Sequence, residues 1–572
     1  MNANQTESSA ELFDRAFVEQ AEYLEANDLL RWSAQHPREA ELIRKLTGGG
    51  AKLITGPRGC GKTTLMLKAY HQMHERGASA SFAVYVNYKA SLKLEPLYTE
   101  RSSASYWFKQ WILAKIYIGL YESLAEKNSE LGSKLGVTEK SVKSLASRLE
   151  LGVTPGPEQT AIELDQLKAD IDTTIEALGR PRCVLLLDDA AHAFSADQQR
   201  DFFELFRQIK SRSVAPKAAI YPGVTVYSPG FQVGHDAEEV DVWIDPYSTE
   251  YLGFMKDLIE KRIPTHIYRA LQGKPDYLTL VCFAAFGMPR ALLNMVRQFY
   301  GSDSDDGTDS NIDFSFRKIV QAIRGCHENT LGVFEALRLK LPVYDNFVRE
   351  GKLILNVAYD GVKTYNKGKP KNSQSVTLAV SDDLAREVRH VFGFLQYAGM
   401  MRFAGKVSRG EKGNFDLFRL HAAGLISNNA LFGDKAINAT NYVYSFTHLS
   451  AHAFTRIGEQ ALLQGKGVSE CLSLALPPCE SCGSPRLSPE AKFCGSCGRP
   501  LKESSIYKRL LQQPISVLPM TETRVRRIQE HSRIRTIKDI IIDHDGKELL
   551  GVPRIGPFWA RQIQSYADEF IS

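Results

Sequence analysis

Short apolar runs punctuate the N-terminal part of the chain, at Ala51-Lys52-Leu53-Ile54-Thr55, Phe82-Ala83-Val84-Tyr85-Val86-Asn87 and Cys183-Val184-Leu185-Leu186-Leu187. Each predicts a strand. The last has no polar position before it ends at Asp188-Asp189, as a strand buried on both faces of a parallel sheet requires. Between these runs the apolar spacing shifts to three and four. His36-Pro37-Arg38-Glu39-Ala40-Glu41-Leu42-Ile43 predicts a short amphipathic helix opening near Pro37, either beside a bound base or as a hydrophobic brace. Leu65 to Tyr70 predicts a helix straight after the first strand. The stretch 104–126 carries Trp107, Trp111, Tyr117 and Tyr121 at core-packing spacing, and 157–179 continues helical. Lys217 to Thr225 reads as the next strand, and Phe286-Gly287-Met288-Pro289-Arg290 as a tight turn entering a helix. Strands alternating with helices predict an α/β core, a parallel sheet flanked by helices.

The rhythm changes near residue 300. Gly301 to Ser310 is acidic and lacks apolar positions, which predicts a flexible connector, and Lys363 to Lys371 predicts a second flexible stretch, this one basic. Leu395 to Met400 reads as a helix end. Arg402-Phe403-Ala404, a Gly/Lys-rich turn through Lys412-Gly413, and Phe415 to Leu420 then read as a β-hairpin, so helix plus hairpin predicts a winged helix. The expected divisions are an N-terminal extension (1–34), the α/β core (35–250), an α-helical lid (251–300), an acidic linker (301–314), a winged-helix-like and helical region (315–470), a cysteine-rich ribbon (471–502) and a small all-α tail (503–572).

Composition narrows the setting. The 572 residues exceed one core and fit about three to five domains. No apolar stretch is long enough to cross a bilayer, and the polar N-terminus lacks an export signal, so the expected location is cytoplasmic with no membrane partner. A net charge of +5 is mild, so any nucleic-acid contact must be local. Of nine cysteines, four cluster, which fits a metal site in a reducing compartment better than a disulfide framework.

Gly56-Pro57-Arg58-Gly59-Cys60-Gly61-Lys62-Thr63-Thr64, between a strand and a helix, has the G-x-x-x-x-G-K-[ST] spacing of a phosphate-binding P-loop. Such a loop curls backbone N–H groups around phosphates at a helix N-terminus. Lys62 is expected to reach the β/γ-phosphates and Thr63 to hold Mg²⁺, which makes ATP and Mg²⁺ the expected cofactors. Phosphoryl transfer also needs an acid to order the metal and another to polarise water, jobs that fit Asp188 and Asp189. Thr225, near a strand end, is placed to sense the γ-phosphate, and Arg290, at a helix head, to reach phosphates from the lid. The alternative for the acids is an ordinary strand-end pair.

The loop, the acidic pair, the Gly-x-Pro-Arg turn and the winged-helix pattern resemble the initiator-type AAA+ ATPases, those of the origin-recognition and cell-division-cycle proteins, especially their bacterial relatives, and more distantly STAND-type signalling ATPases. The resemblance implies a P-loop NTPase core, a helical lid and a DNA-contacting winged helix. It assigns catalysis to Lys62, Asp189, Thr225 as first sensor and Arg290 as second. The second acid is Asp where the initiator pattern usually has Glu. No arginine lies between Val226 and Pro246 to act as a finger toward a neighbour, leaving Arg207 and Arg212 as substitutes.

Cys479-Glu480-Ser481-Cys482-Gly483 and Cys494-Gly495-Ser496-Cys497-Gly498 are paired C-x-x-C-G knuckles. Four thiolates match tetrahedral Zn²⁺ in a structural ribbon, the alternatives being iron or a disulfide pair, with no position left open for catalysis. The tail, with a helix opening at Thr521, a turn into Thr536 and Ile555-Gly556 before a last helix, looks like a helix-hairpin-helix module, similar to the C-terminal domain of the polymerase α subunit. That likeness nominates Ile555, Gly556 and Phe558, with Arg554 and Arg561, for a DNA phosphate. Lys363, Lys367, Lys369 and Lys371, and the hairpin's Lys406, Arg409 and Lys412, are further candidate phosphate contacts. The expectation is an ATP-binding and ATP-hydrolysing switch that contacts double-stranded DNA, with ATP-dependent self-association open. The alternatives are a STAND-like scaffold that recruits protein partners, as in phage defence, and a protein that binds ATP without turnover.

Overall fold

The computed structural model describes residues 20–100, 103–125, 129–154, 161–190, 195–299, 314–410, 413–431, 438–450, 452–488, 491–501 and 505–571. The acidic stretch 301–310, Lys412 and most of the N-terminal extension lie outside the described residues.

β1 (Lys52–Thr55), β2 (Phe82–Asn87), β3 (Cys183–Asp188), β4 (Val214–Ile220) and β5 (Glu238–Asp241) form one sheet in the order β2-β3-β4-β1-β5. Every neighbouring pair is parallel. All six positions of β3 are buried, which is why its sequence is apolar without alternation. The chain leaves β1 and re-enters the sheet at β2, beyond β4 and β3, so a crevice opens at the carboxyl ends of β1, β4 and β3, where open α/β sheets bind ligands.

The aromatic helix Ala104–Ala125 packs on β2 and buries Trp111 and Tyr117 completely. Their polar tips are satisfied: Trp111 Nε1 donates to Glu150 at 3.0 Å and the Tyr117 hydroxyl to Asp170 at 2.7 Å. Helices Tyr251–Arg262, Thr265–Gln272, Pro275–Ala284 and Pro289–Phe299 follow the sheet as an all-helical layer.

Helices Phe316–Glu335, Asp345–Asn366 and Arg386–Tyr397 precede an antiparallel hairpin of β7 (Met401–Ser408) and β8 (Asn414–Leu420), which extends through β6 (Thr377–Ser381) to β9 (Thr455–Arg456). Helix and hairpin thus form where the pattern placed them. The basic stretch departs from expectation. Lys363 lies inside helix Asp345–Asn366, which continues because Tyr359, Val362 and Asn366 are buried on one face. Asn366 then fixes the exit, its amide donating to Ser375 O and Ala430 O at 2.9 Å each.

The tail packs its own apolar cluster, with Leu510, Ile528, Ile537, Leu549 and Ile563 at its centre, between short helices ending in Pro557–Phe570. One member comes from elsewhere. Leu92, in a 3-10 turn after β2, is 0% exposed within that cluster, so the tail is docked on the α/β core. Among the described residues no helix is long and apolar enough to cross a membrane.

Candidate nucleotide cleft and metal ribbon

The loop 56–61 joins β1 to helix Lys62–Glu75 at the carboxyl edge of the sheet. A side chain at Gly59 would meet Arg290 Cβ at 3.0 Å, so glycine there lets the helix head at Arg290 lie across the loop. Lys62 is 5% exposed, and its ammonium donates to Gly56 O at 2.8 Å and Pro57 O at 3.0 Å while sitting 3.7 Å from the Tyr221 ring centroid. Burial lowers its pKa, so the ammonium is poorly solvated and suited to an anion.

Asp188 ends β3 at 1% exposure and accepts a hydrogen bond from the Tyr85 hydroxyl at 2.9 Å. Burial first, and Asp189 second, push its pKa up, an environment in which a cation is favoured. Thr63 also bonds its carboxylate. Asp189 has φ of 51°, donates its N–H to Asp188 Oδ1 at 3.0 Å and accepts from the Tyr221 hydroxyl at 2.9 Å.

The first-sensor position differs from the sequence expectation. β4 ends at Ile220 because Pro222-Gly223 turns the chain, with Gly223 at φ of 72°. Thr225 therefore lies beyond the strand, and its hydroxyl closes that turn, donating to Tyr221 O at 2.8 Å and accepting from Tyr221 N at 3.0 Å. Tyr221, not Thr225, faces Lys62 and Asp189. Arg207 and Arg212 lie at and after the end of helix Ala196–Ile209, which returns from the cleft edge to the start of β4, and Arg207 is paired with Glu204 at 2.8 Å. The structure thus sets both at the sheet edge opposite the loop.

Sequence reasoning missed Glu569. This residue of the terminal helix is 17% exposed, and its carboxylate pairs with Arg58 at 3.1 Å and with Arg290. Gln20 donates to its other oxygen at 3.3 Å, and Arg58 also donates to its backbone oxygen at 3.0 Å. Burial would raise its pKa, yet Arg290, Arg58 and Lys89 outweigh burial and hold it well below the usual carboxylate range. Beyond it the cleft, about 1150 Å³ including its mouth, is walled by Ala34, His36, Phe254, Leu258 and Leu293. The segment at His36-Pro37 thus borders the cleft, while Leu42 and Leu46 behind it brace the core. A deep ammonium, a buried acid beside Thr63 and two guanidiniums holding a carboxylate fit the polyphosphate and divalent cation of magnesium ATP.

In the ribbon, the Cys479 and Cys497 sulfurs stand 3.7 Å apart, those of Cys482 and Cys494 3.5 Å, and all four lie within 4.8 Å of one another. Tetrahedral zinc at about 2.3 Å from each thiolate sets sulfurs about 3.8 Å apart. Both knuckles close alike: Gly483 N–H bonds Cys479 O at 2.8 Å and Gly498 N–H bonds Cys494 O at 2.9 Å, with positive φ at each glycine. These residues fit zinc. Exposed Leu487 (84%) and Phe493 (61%) flank them.

In the tail's nominated turn Arg554, Gly556 and Arg561 are exposed, while the apolar residues pack. Ile555 is core, and Phe558 and Trp559 lie 5.1 and 4.5 Å from the guanidinium of Arg297 in helix Pro289–Phe299. Arg561 bonds the Pro557 carbonyl at 3.2 Å. Of the other basic candidates, Lys406 pairs with Asp416 at 3.4 Å, Arg409 lies 5.0 Å from the Phe454 ring, Lys369 lies 2.9 Å from the Tyr365 ring and Lys371 bonds Asn441. Helix Arg386–Tyr397, ahead of the hairpin, is docked too. His390 bonds Gly223 O at 3.2 Å, a side chain at Gly393 would stand 2.7 Å from Gly223 Cα, and Tyr397 O accepts from Arg58 N at 3.4 Å.

No protein-family model matches the chain, and no curated protein matches it. Among solved structures it is similar to the ORC1 protein of Aeropyrum pernix in complex with DNA (16% identity, TM-score 0.29, covering 72% of this chain and 96% of that one). It is also similar to Cdc6p of Pyrobaculum aerophilum (14%, 0.28, 69% and 95%) and to the ORC2 protein of Aeropyrum pernix in ADPNP-ADP complexes (12%, 0.30, 76% and 96%). Likenesses this weak carry no argument about activity.

Proposed function

We propose that the chain is an ATP-binding and ATP-hydrolysing switch of the initiator-type AAA+ class that contacts double-stranded DNA through its appended modules. One observation carries the nucleotide reading: Lys62, the pair Asp188-Asp189 and Arg290, from three distant stretches, converge on one crevice with a carboxylate held between guanidiniums. Magnesium ATP, when bound, supplies the phosphoanhydride to be cleaved. Lys62 then neutralises phosphate charge, Thr63 and Asp188 hold the cation, and Arg290 binds phosphate from the lid. Asp189, oriented by Tyr221, takes the proton of the attacking water, and Tyr221 occupies the role first given to Thr225.

Docking of Arg386–Tyr397 against Gly223, next to Tyr221, supports a coupling between the cleft and the winged helix. Calorimetry with magnesium ATP on the unaltered chain and on Lys62→Ala tests the reading. Binding that disappears in the variant supports it, and equal heats from both chains would remove the loop from the account. Phosphate release that survives Asp189→Ala would dismiss the assigned base. Duplex DNA affinity that is salt-dependent and raised by magnesium ATP supports the DNA arm.

The exposed Leu487 and Phe493 of the ribbon favour a second reading, the STAND-like scaffold that recruits protein partners. Pull-down of the intact chain with and without ATP distinguishes the two. Protein recovered without nucleic acid favours the scaffold.

A further inference from the structure

The terminal helix spans the distance between the lid and the loop. Its first turn rests Phe558 and Trp559 on Arg297, and its last turn delivers Glu569 to Arg58 and Arg290. Arg58 belongs to the phosphate loop itself, and Arg290 lies across Gly59. Both guanidiniums therefore spend their charge on a side chain that is 511 residues from Arg58 in sequence. Around them the surroundings are cationic. Lys89 and Lys340 both act on Glu569 or its partners, and Lys340 lies 6.0 Å from the Phe570 ring. A single carboxylate at such a place stands in for phosphate oxygens.

We propose that Glu569 is a built-in competitor of the nucleotide's terminal phosphate: the tail latches onto the loop through Arg58 and Arg290, and a triphosphate, but not a diphosphate, unlatches it. This rests on the nucleotide reading above. A terminal phosphate carries about two negative charges and three acceptor oxygens against one charge and two oxygens for Glu569, so it displaces the carboxylate from both guanidiniums. ADP leaves that end of the site unclaimed. The helix that bears Glu569 also bears the Phe558 hairpin, so unlatching frees the face that Arg297 covers. The cleft thereby reports the presence of the third phosphate to the tail without a second protein.

Two measurements on the full chain test this. Glu569→Gln keeps shape and removes charge, so triphosphate affinity should tighten at least about tenfold as the cost of displacing the latch disappears, while ADP affinity moves less than about threefold. Glu522→Gln, which removes an exposed charge from the same tail, should match the unaltered chain. Amide exchange over 557–571 in the unaltered chain should rise with a non-hydrolysable magnesium ATP analogue and stay unchanged with magnesium ADP, a readout that needs no variant. Equal triphosphate affinity in Glu569→Gln and the unaltered chain would overturn the latch and leave the nucleotide reading standing. So would saturating triphosphate with unaltered exchange over the helix. No binding of either nucleotide by either chain would overturn the nucleotide reading, and the latch with it.

Discussion

Leu92→Ala tests how tightly the tail is seated. Leu92 is 0% exposed and belongs to the chain segment after β2, yet its side chain completes the tail's cluster with Leu510 and Ile515. Truncating a fully buried leucine costs about 2–5 kcal/mol. Because the cavity opens across the boundary, that cost falls on docking and not on the tail's own core, so the docked population drops by about thirtyfold to several thousandfold. The contacts that remain include Ser505 to Glu95 at 2.6 Å, Arg509 to Leu339 O at 2.6 Å, the Glu569 pairs, Phe558 and Trp559 on Arg297, and the half-buried Leu339 against the cluster. Amide exchange on the full chain reads the result. Helices Ile506–Leu511 and Pro557–Phe570 should exchange faster, while Lys62–Glu75 keeps its protection. If the tail keeps its protection while the melting temperature falls, Leu92 is serving the α/β core and the argument is wrong.

Three further outcomes follow from other parts of the molecule. Cys494→Ser should abolish stoichiometric zinc, read by atomic absorption, and raise exchange in 479–501 without affecting the loop helix, whereas a full zinc complement in the variant would reject the four-thiolate site. Gly393→Val puts atoms against the Gly223 backbone, so helix Arg386–Tyr397 should come away from the sheet; if the proposed DNA contact uses the face this docking covers, duplex DNA should bind more tightly in filter assays, and unchanged or weaker binding would reject that use of the face. His421 is 0% exposed with neither ring nitrogen hydrogen-bonded, and burial lowers its pKa to about 3. The unfolded chain therefore binds the extra proton first: stability is intact above the unfolded value near pH 6.5 and falls by about 1.4 kcal/mol per unit toward the folded pKa. His421→Phe should flatten the urea-midpoint difference between pH 7 and pH 4.5, and an equally steep loss in the variant would discard this account.

What the sequence revealed was local. The loop, the apolar β3 with its acids, the hairpin and the cysteine knuckles each sit within a few residues, where spacing alone constrains geometry. The failures have physical causes. Lys363 to Lys371 looked flexible because its lysines hide the buried Tyr359, Val362 and Asn366 face that keeps the helix going. Thr225 looked like a strand end because the apolar pattern runs on past Pro222-Gly223, although the turn itself was visible as Pro-Gly. Tyr85 and Tyr221 gave a faint signal, as tyrosines near the carboxyl ends of β2 and β4, on the side of the sheet that the loop occupies. Glu569 gave none, since no local spacing joins residues 511 apart.

The short second acid has a backbone reason. At φ of 51° Asp189 occupies a conformation that aspartate tolerates far better than glutamate, because its compact side chain can bond to nearby polar groups. Installing the longer acid that the initiator pattern favours would strain that bend by about 1–2 kcal/mol and push the carboxylate past the Tyr221 hydroxyl. On the proposed reading, main-chain curvature and the Tyr221 phenol, not side-chain length, set the reach of this acid.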